Sequence, residues 1–202
     1  MVKPNSAVES PVSDGTGRAL RADARRNHER IVAAARTVFA RDGAGASTEA
    51  IAREAGVGVG TLYRRFPKRI DIVEAVYRTD VEELVQTAER VVAELEPEPA
   101  MVEFLEAFVR YARTKRTLLT ELREAFDQNP DLRSHSRDRI DWAMELVIGR
   151  AQRAGVVRTD VAPSDLLQLL GPMCTSPTLT DAQYTTLLNL IIDGLRQPSR
   201  AH

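Results

Sequence analysis

Apolar residues recur at the spacing of amphipathic helices along most of the chain, and no segment shows the alternation typical of a strand. The period that begins at Ile31 predicts a first helix over residues 24–42, closed by a left-handed cap at Gly43. Two short helices should follow on either side of residues 56–58. The second should end at Phe66, because Pro67 disfavours helical backbone in the residue before it.

The same period predicts six further helices after the two short ones. Their expected spans are residues 68–95, about 104–112, 118–126, 131–154, 163–170 and a last helix from Thr180. Gly171 and Pro172 should stop the eighth helix, which leaves residues 173–177 as a loop. We therefore expect an all-α fold, with a three-helix unit over residues 24–70 and a bundle of about six helices over residues 71–202.

Charge is distributed unevenly between these two parts. Residues 18–70 hold 12 basic and 5 acidic side chains, whereas residues 71–202 hold 15 basic and 22 acidic ones. The basic part suits contact with a polyanion, although solvated helix faces explain such charges equally well. Residues 1–23 are expected to be a disordered basic arm, whose arginines either lie along DNA or simply begin the first helix.

Several classes of protein are disfavoured by composition. Cys174 is the only cysteine, which excludes an intramolecular disulfide and favours a reducing compartment. No apolar run approaches the roughly 20 residues of a membrane span, so a cytoplasmic protein without membrane contact is expected. His28, His135 and His202 are too scattered for a metal site, and no glycine-rich phosphate loop follows a strand. We expect neither an enzyme nor a bound cofactor or metal.

The two short helices have the layout of a helix-turn-helix, with a longer helix before them and a glycine-containing turn between them. In that motif the second short helix enters the DNA major groove, which is about 12 Å wide. Leu62 and Phe66 lie one turn apart and should face the core, which leaves Tyr63 and Arg64 pointing outward. The segment is therefore predicted to be a DNA recognition helix.

Residues around this helix are candidate phosphate contacts. Gly58 and Gly60 would let backbone amides approach a phosphate, although ordinary turn glycines fit the pattern too. Lys68 and Arg69 put positive charge at the start of the fourth helix, where it opposes the helix dipole. A bound phosphate would explain that placement, and Thr48 at the start of the second helix is a further candidate.

Residues 26–77 resemble the TetR/AcrR family of one-component regulators, most specifically over residues 51–67. The resemblance lies in Ile-Ala-Arg-Glu-Ala-Gly-Val, then Gly-Thr-Leu-Tyr, with Phe-Pro three residues after the tyrosine. It implies a homodimeric repressor that releases double-stranded operator DNA when a small-molecule effector binds. The predicted DNA-binding residues are Thr48, Gly58, Val59, Gly60, Thr61, Tyr63, Arg64, Arg65, Lys68 and Arg69.

The resemblance has departures and leaves alternatives open. Gly58 stands where serine is common in the family, Lys68 where a capping serine or threonine is common, and Ile70 where an acid is common. Residues 111–115 and 154–161 resemble the SbtR-like subgroup, which implies no particular ligand. A helical ligand-binding or dimerisation module without operator-specific binding is the alternative function, and no residue decides between repressor and activator.

The C-terminal part supplies candidate dimer and ligand residues. An apolar face of the last helix, joined by two leucines of the eighth, predicts an intersubunit four-helix bundle unless it packs only within the subunit. These residues are Leu166, Leu170, Tyr184, Leu187, Leu188, Ile191, Ile192 and Leu195. The candidate effector pocket, each member of which is as easily plain core, comprises Phe104, Phe108, Tyr111, Trp142, Met144, Met173 and Cys174. The acidic character of this domain favours a cationic or neutral ligand.

Overall fold

The computed structural model describes residues 15–116, 118–176 and 178–197, with side chains from residue 22 onward except at residue 44. Within these ranges the chain is helical, as the periodicity predicts. The helices are α1 Gly15–Asp42, α2 Thr48–Ala55, α3 Val59–Arg65, α4 Arg69–Glu94, α5 Pro97–Arg116, α6 Leu119–Gln128, α7 Pro130–Arg153, α8 Pro163–Thr175 and α9 Asp181–Leu195. A short 3₁₀ turn, Gly43–Gly45, separates α1 from α2.

The first three helices form the N-terminal unit around fully buried side chains. Phe39 of α1, Ile51 of α2 and Leu62 of α3 are each 0% exposed. The hydroxyl of Ser47 accepts the amide of Ala50 at 3.0 Å and so caps α2. Gly56 ends α2 with φ of 64°, a left-handed conformation that favours glycine.

The fourth helix is the central element of the molecule, because it packs against α1, α5, α6 and α7. Its inward face includes Val73, Val81 and Ala88, and all three side chains are buried. These residues belong to one continuous apolar core that extends from α1 into α9. The N-terminal unit and the C-terminal bundle therefore share α4 as a common support.

The ends of several helices differ from the predicted ones. The first helix begins at Gly15, so the prediction of an irregular arm is wrong for residues 15–23, while residues 1–14 lie outside the described part of the chain. Pro97, which was predicted only to end the fourth helix, is also the first residue of α5. Proline is tolerated there because the backbone amide of a first-turn residue has no partner within the helix. Lys68 is the residue before α4 rather than its first residue.

The eighth helix runs past Pro172, where the sequence predicted its end. Proline removes one backbone donor, and here the last turn is supported by Thr175, whose hydroxyl donates to the carbonyl of Gly171 at 3.1 Å. Met173 and Cys174 are therefore helical, and the predicted loop at residues 173–177 is wrong for the first three of its residues.

Candidate nucleic-acid interface and ligand cavity

The third helix divides into an inner and an outer face, as its sequence predicted. Leu62 is 0% and Phe66 4% exposed, whereas Tyr63 is 45% and Val59 38% exposed. Arg64 and Arg65 are exposed as well. Tyr63 and Val59 thus share one exposed surface with two arginines, and this combination of apolar and cationic groups suits contact with another molecule.

A histidine of α1 holds the recognition helix in place. The ring of His28 stacks on Phe66, with 5.2 Å between the ring centroids, and its Nδ1 accepts a hydrogen bond from Nε of Arg65 at 3.2 Å. Burial lowers the pKa of His28, and the positive charge of Arg65 lowers it further. A neutral imidazole is what this contact requires, because a protonated ring has no free acceptor.

The turn between α2 and α3 is anchored from α1. Nη2 of Arg30 donates to the carbonyl of Ala55 at 2.6 Å, directly before the left-handed Gly56. Gly58 precedes α3 in an extended conformation and supplies its carbonyl to the amide of Thr61 at 2.9 Å, but it has no side chain with which to cap the helix. Without a side-chain cap, the first backbone N–H groups of α3 can donate hydrogen bonds to an anion.

The predicted DNA-binding residues lie on three elements of this unit. Thr48 begins α2 and is half-buried, residues 58–65 form α3 and the residue before it, and Lys68 is exposed ahead of α4. The backbone amide of Lys68 donates to the carboxylate of Asp71 at 2.8 Å. This acid, which the sequence argument overlooked, balances part of the positive charge at the start of α4.

Arg69 is the exception among the predicted phosphate contacts. Its Nη1 donates to the carbonyl of Ala46, and its Nη2 forms an ion pair with Glu121 of α6 at 3.3 Å. The guanidinium also lies over the ring of Phe39, 5.1 Å from the centroid. These contacts direct the side chain towards the interior, where Arg69 connects α4 to neighbouring helices, and its phosphate contact stays a prediction.

A cavity of about 590 Å³ lies between α4, α5, α6, α7 and α8. Its lining combines aromatic, aliphatic and charged side chains. These are Tyr77, Lys115, Leu119, Leu122, Arg123, Phe126, Asp127, Arg133, Arg137, Ile140, Asp141, Leu167 and Gln168. The cavity is large enough for a small molecule, and six apolar or aromatic side chains line it beside six charged ones.

None of the seven predicted pocket residues lines this cavity. Phe104, Met144 and Cys174 are buried in the core, and Trp142 is 46% exposed on the outside of α7. Phe108 is also core, Met173 is half-buried on α8, and Tyr111 borders a separate, smaller space of about 260 Å³. The predicted residues lie elsewhere because apolar character marks the inward face of a helix, whereas a cavity is formed where neighbouring helices diverge, and their part in effector binding stays a prediction.

The residue that sequence reasoning missed is Lys115. It lies one helical turn after the buried Tyr111 and Ala112 of α5. Because lysine is rarely found on an apolar helix face, this position could have indicated a binding site. Its Nζ lies 5.3 Å from the ring centroid of Tyr77 and 5.7 Å from that of Phe126. Burial lowers the pKa of Lys115, and repulsion by Arg133 lowers it further.

Most of the predicted dimer residues are already buried within the subunit. The six that are at most 7% exposed are Leu166, Leu170, Tyr184, Leu188, Ile192 and Leu195. Leu187 and Ile191 are half-buried. The large apolar side chains that do reach solvent on these helices are Leu169, at 54%, and Leu190, at 62%.

Two possible features are not found in the described part of the chain. None of its helices combines the length and the apolar character that crossing a membrane requires. Its histidine, cysteine and acidic side chains form no group of three or more that could hold a metal ion.

Comparisons with known proteins agree with the helix-turn-helix geometry. A family model described as bacterial regulatory proteins of the tetR family matches residues 31–76, and one described as the C-terminal domain of SbtR-like transcriptional regulators matches residues 96–197. The chain belongs to the TetR family. This TetR-family protein is a DNA-binding transcriptional regulator.

Individual relatives support the same assignment along nearly the whole chain. A TetR transcriptional regulator from Streptomyces coelicolor is 36% identical with a TM-score of 0.75, over 85% of this chain and 99% of its own. A TetR regulatory protein from Mycobacterium vanbaalenii is 32% identical with a TM-score of 0.68, over 88% and 99%. The transcriptional regulator UidR of Escherichia coli K12 is 24% identical over 180 residues, 87% of each chain.

Proposed function

We propose that this TetR-family regulator is a homodimeric repressor, which binds operator DNA through α3 and releases it when a small molecule enters the cavity between α4 and α8. The observation that carries the proposal is the division of α3. Leu62 and, directly after the helix, Phe66 are buried, whereas Tyr63 and Arg64 stand exposed at the surface. A helix with this division presents a polar, cationic face to the major groove.

The dimer is proposed to form through α8 and α9. Leu169 and Leu190 are exposed, and Leu187 and Ile191 beside Leu190 are half-buried. Exposed leucines on the last two helices favour an interface of two-fold symmetry, in which the same surface is buried on both subunits. The buried residues of these helices would support the interface from behind without touching the partner.

Release is proposed to act through α6 and α4. The sixth helix lines the cavity with Leu122 and Phe126, and its Glu121 is paired with Arg69 beside the N-terminal unit. The fourth helix contributes Tyr77 to the cavity and is joined to α1. A ligand that fits only one arrangement of these helices shifts the population towards it and changes the separation of the two recognition helices.

A second tie between the two parts supports this route. Arg36 of α1 forms ion pairs with Asp80 and, at 2.9 Å, with Glu83, both on α4. Movement of α4 therefore carries α1 with it, and α1 holds α2 and α3 through Arg30 and His28. Coupling energies of about 1–3 kcal/mol between effector and DNA are ordinary for such devices.

Operator binding is the direct test of the proposal. The full chain is titrated against labelled duplexes from the region upstream of its own coding sequence, with fluorescence anisotropy as the readout. Affinity should fall steeply as salt is raised, because phosphate contacts release counterions. Tyr63→Ala and Arg64→Ala should each weaken operator binding by about 1–3 kcal/mol while leaving the helical content unchanged.

The control is Arg153→Ala, which removes an exposed arginine from α7, away from α3. It should bind operator as the parent does. If Tyr63→Ala and Arg64→Ala retained specific binding, α3 would not be the reading element. If no upstream duplex bound better than a scrambled one, the alternative of a helical module without operator-specific binding would be preferred.

A further inference from the structure

The charges that line the cavity are opposite in sign to those of the domain that contains it. Residues 71–202 hold more acids than bases, yet the cavity has more cations than anions. The cations are Lys115, Arg123, Arg133 and Arg137, and the anions are Asp127 and Asp141. A surplus of positive charge at a concave site raises the local concentration of anions.

Lys115 is the only one of these cations that is not exposed. Arg137 is paired with Asp141 at 3.9 Å, but among the described residues no carboxylate lies within ion-pairing distance of Lys115. The ammonium group of Lys115 instead lies over the faces of Tyr77 and Phe126. These two rings meet edge to face, with 5.3 Å between their centroids. Ring contacts offset part of the desolvation of an ammonium group, but they do not neutralise it.

Apart from Gln168, the remaining side chains that line the cavity are apolar or aromatic. Leu119 and Leu122 come from α6, Ile140 from α7 and Leu167 from α8, and they join the two aromatic rings. Six of the thirteen side chains that line the 590 Å³ cavity are thus apolar or aromatic, and they suit a ligand with a substantial apolar body. The cavity thus combines one sheltered positive charge with a wide apolar surface.

We propose that the effector is an amphipathic monocarboxylate, with its carboxylate on Lys115 and its aliphatic or aromatic body against Tyr77 and Phe126. A single sheltered ammonium matches a single carboxylate, because the three arginines of the cavity are exposed and remain hydrated. This deepens the proposed function and rests on it, since it names the chemical class of the effector. It replaces the cationic or neutral ligand that the acidic composition of the domain suggested.

The test is calorimetric titration of the full chain with pairs of compounds that differ only in charge. Octanoate and 4-phenylbutyrate are compared with octanamide and 4-phenylbutanamide at neutral pH. The acids should bind at least about tenfold more tightly than the amides, as expected when a charge-assisted hydrogen bond is made in a sheltered site. Equal binding of an acid and its amide, or no binding by either acid, would overturn the proposal.

Substitutions at Lys115 identify the charge that is responsible. Lys115→Met keeps the length of the side chain and should abolish the preference for acids, whereas Lys115→Arg should retain it. Arg153→Gln, on the outside of α7, should change neither. Because Arg133 is exposed at the same cavity, Arg133→Gln should fold normally and weaken the acids severalfold, which keeps the test usable if Lys115→Met does not fold. Unchanged affinity in both variants would contradict the assignment.

An operator-release assay separates this inference from the proposed function. Acids that bind and also release DNA would support both. A neutral compound that releases DNA better than any acid would overturn the carboxylate class and leave the ligand-released repressor in place. Acids that bind through Lys115 but never alter DNA affinity would support the binding site and contradict the release mechanism.

Discussion

Arg69, the first residue of α4, is ion-paired with Glu121 of α6, with 3.3 Å between Nη2 and Oε1. The same guanidinium donates to the carbonyl of Ala46 just before α2 and lies over the ring of Phe39 in α1. One side chain therefore connects the helix-turn-helix unit to a helix that lines the proposed effector cavity. Its position in the sequence pointed to phosphate, and its contacts point to the interior.

Replacing Arg69 separates these two roles. Arg69→Gln should lower the free energy of unfolding by about 1–2 kcal/mol, because a half-buried carboxylate and carbonyl lose a charged donor. The slope of log affinity for operator against log salt should stay as in the parent, since no phosphate contact is lost. Urea unfolding and anisotropy titrations at several salt concentrations measure the two quantities.

Arg64→Gln is the matched comparison for Arg69→Gln. It removes an exposed arginine of α3, so stability should change little and the salt slope should become shallower by about one unit. If Arg69→Gln reduced the slope as Arg64→Gln does, Arg69 would contact phosphate after all.

Two glycines of the helix-turn-helix should respond in opposite ways to alanine. Gly56 has φ of 64°, and a Cβ there would lie 3.0 Å from Nη2 of Arg30, so Gly56→Ala should destabilise the fold by about 1 kcal/mol. Gly60 lies inside α3 with nothing within 4 Å of an added Cβ, so Gly60→Ala should stabilise the fold by up to about 1 kcal/mol. Thermal unfolding measures both.

Operator affinity adds a second readout for Gly60→Ala. If the backbone of α3 approaches a phosphate at this point, the added methyl group weakens DNA binding even though the fold is more stable. Stability and DNA affinity that rise together would show that the glycine has no role in close approach to DNA.

Acidification should weaken the folded state through His28. Burial, followed by the charge of Arg65, lowers the pKa of His28 in the folded protein below its usual 6.5. The unfolded chain therefore takes up this proton first, so the stability contribution is present above about pH 6.5 and is lost as pH falls through the folded pKa. Denaturant unfolding at a series of pH values should show the decline.

His28→Gln should flatten this part of the pH profile, because the group that titrates is gone. His135→Gln removes an exposed histidine from α7 and provides the control. A profile that stayed as steep in His28→Gln as in the parent would assign the pH dependence to other groups.

The proposed dimer surface is tested at Leu190. Leu190→Glu places a charge on the exposed face of α9 and should raise the dimer dissociation constant by at least about tenfold, since a charge buried at an interface needs a partner. Light scattering coupled to gel filtration measures the mass of the particle. As the control, Val59→Glu places a charge on the exposed face of α3 and should leave the dimer intact. If Leu190→Glu remained dimeric, this part of α9 would not belong to the dimer interface.

Local sequence signals predicted the helix-turn-helix in detail. Ser47 caps α2, Gly56 takes the left-handed conformation and Leu62 and Phe66 face inward, because capping, backbone freedom and amphipathic spacing act within a few residues. Helix ends beside prolines were harder to predict. Pro172 lies within α8, where a neighbouring hydroxyl supports the last turn.

The sequence by itself determined that the chain is helical, that a short amphipathic helix ends near Phe66 and that the family is TetR. Only the tertiary structure decided which apolar helix faces are buried within the subunit. It also decided that Arg69 turns inward and that Lys115 is sheltered beside Tyr77 and Phe126. The physical reason is the distance in sequence over which each interaction acts. Periodicity tells which side of a helix avoids water, but whether that side meets a neighbouring helix, a partner subunit or a ligand depends on packing between residues far apart in sequence.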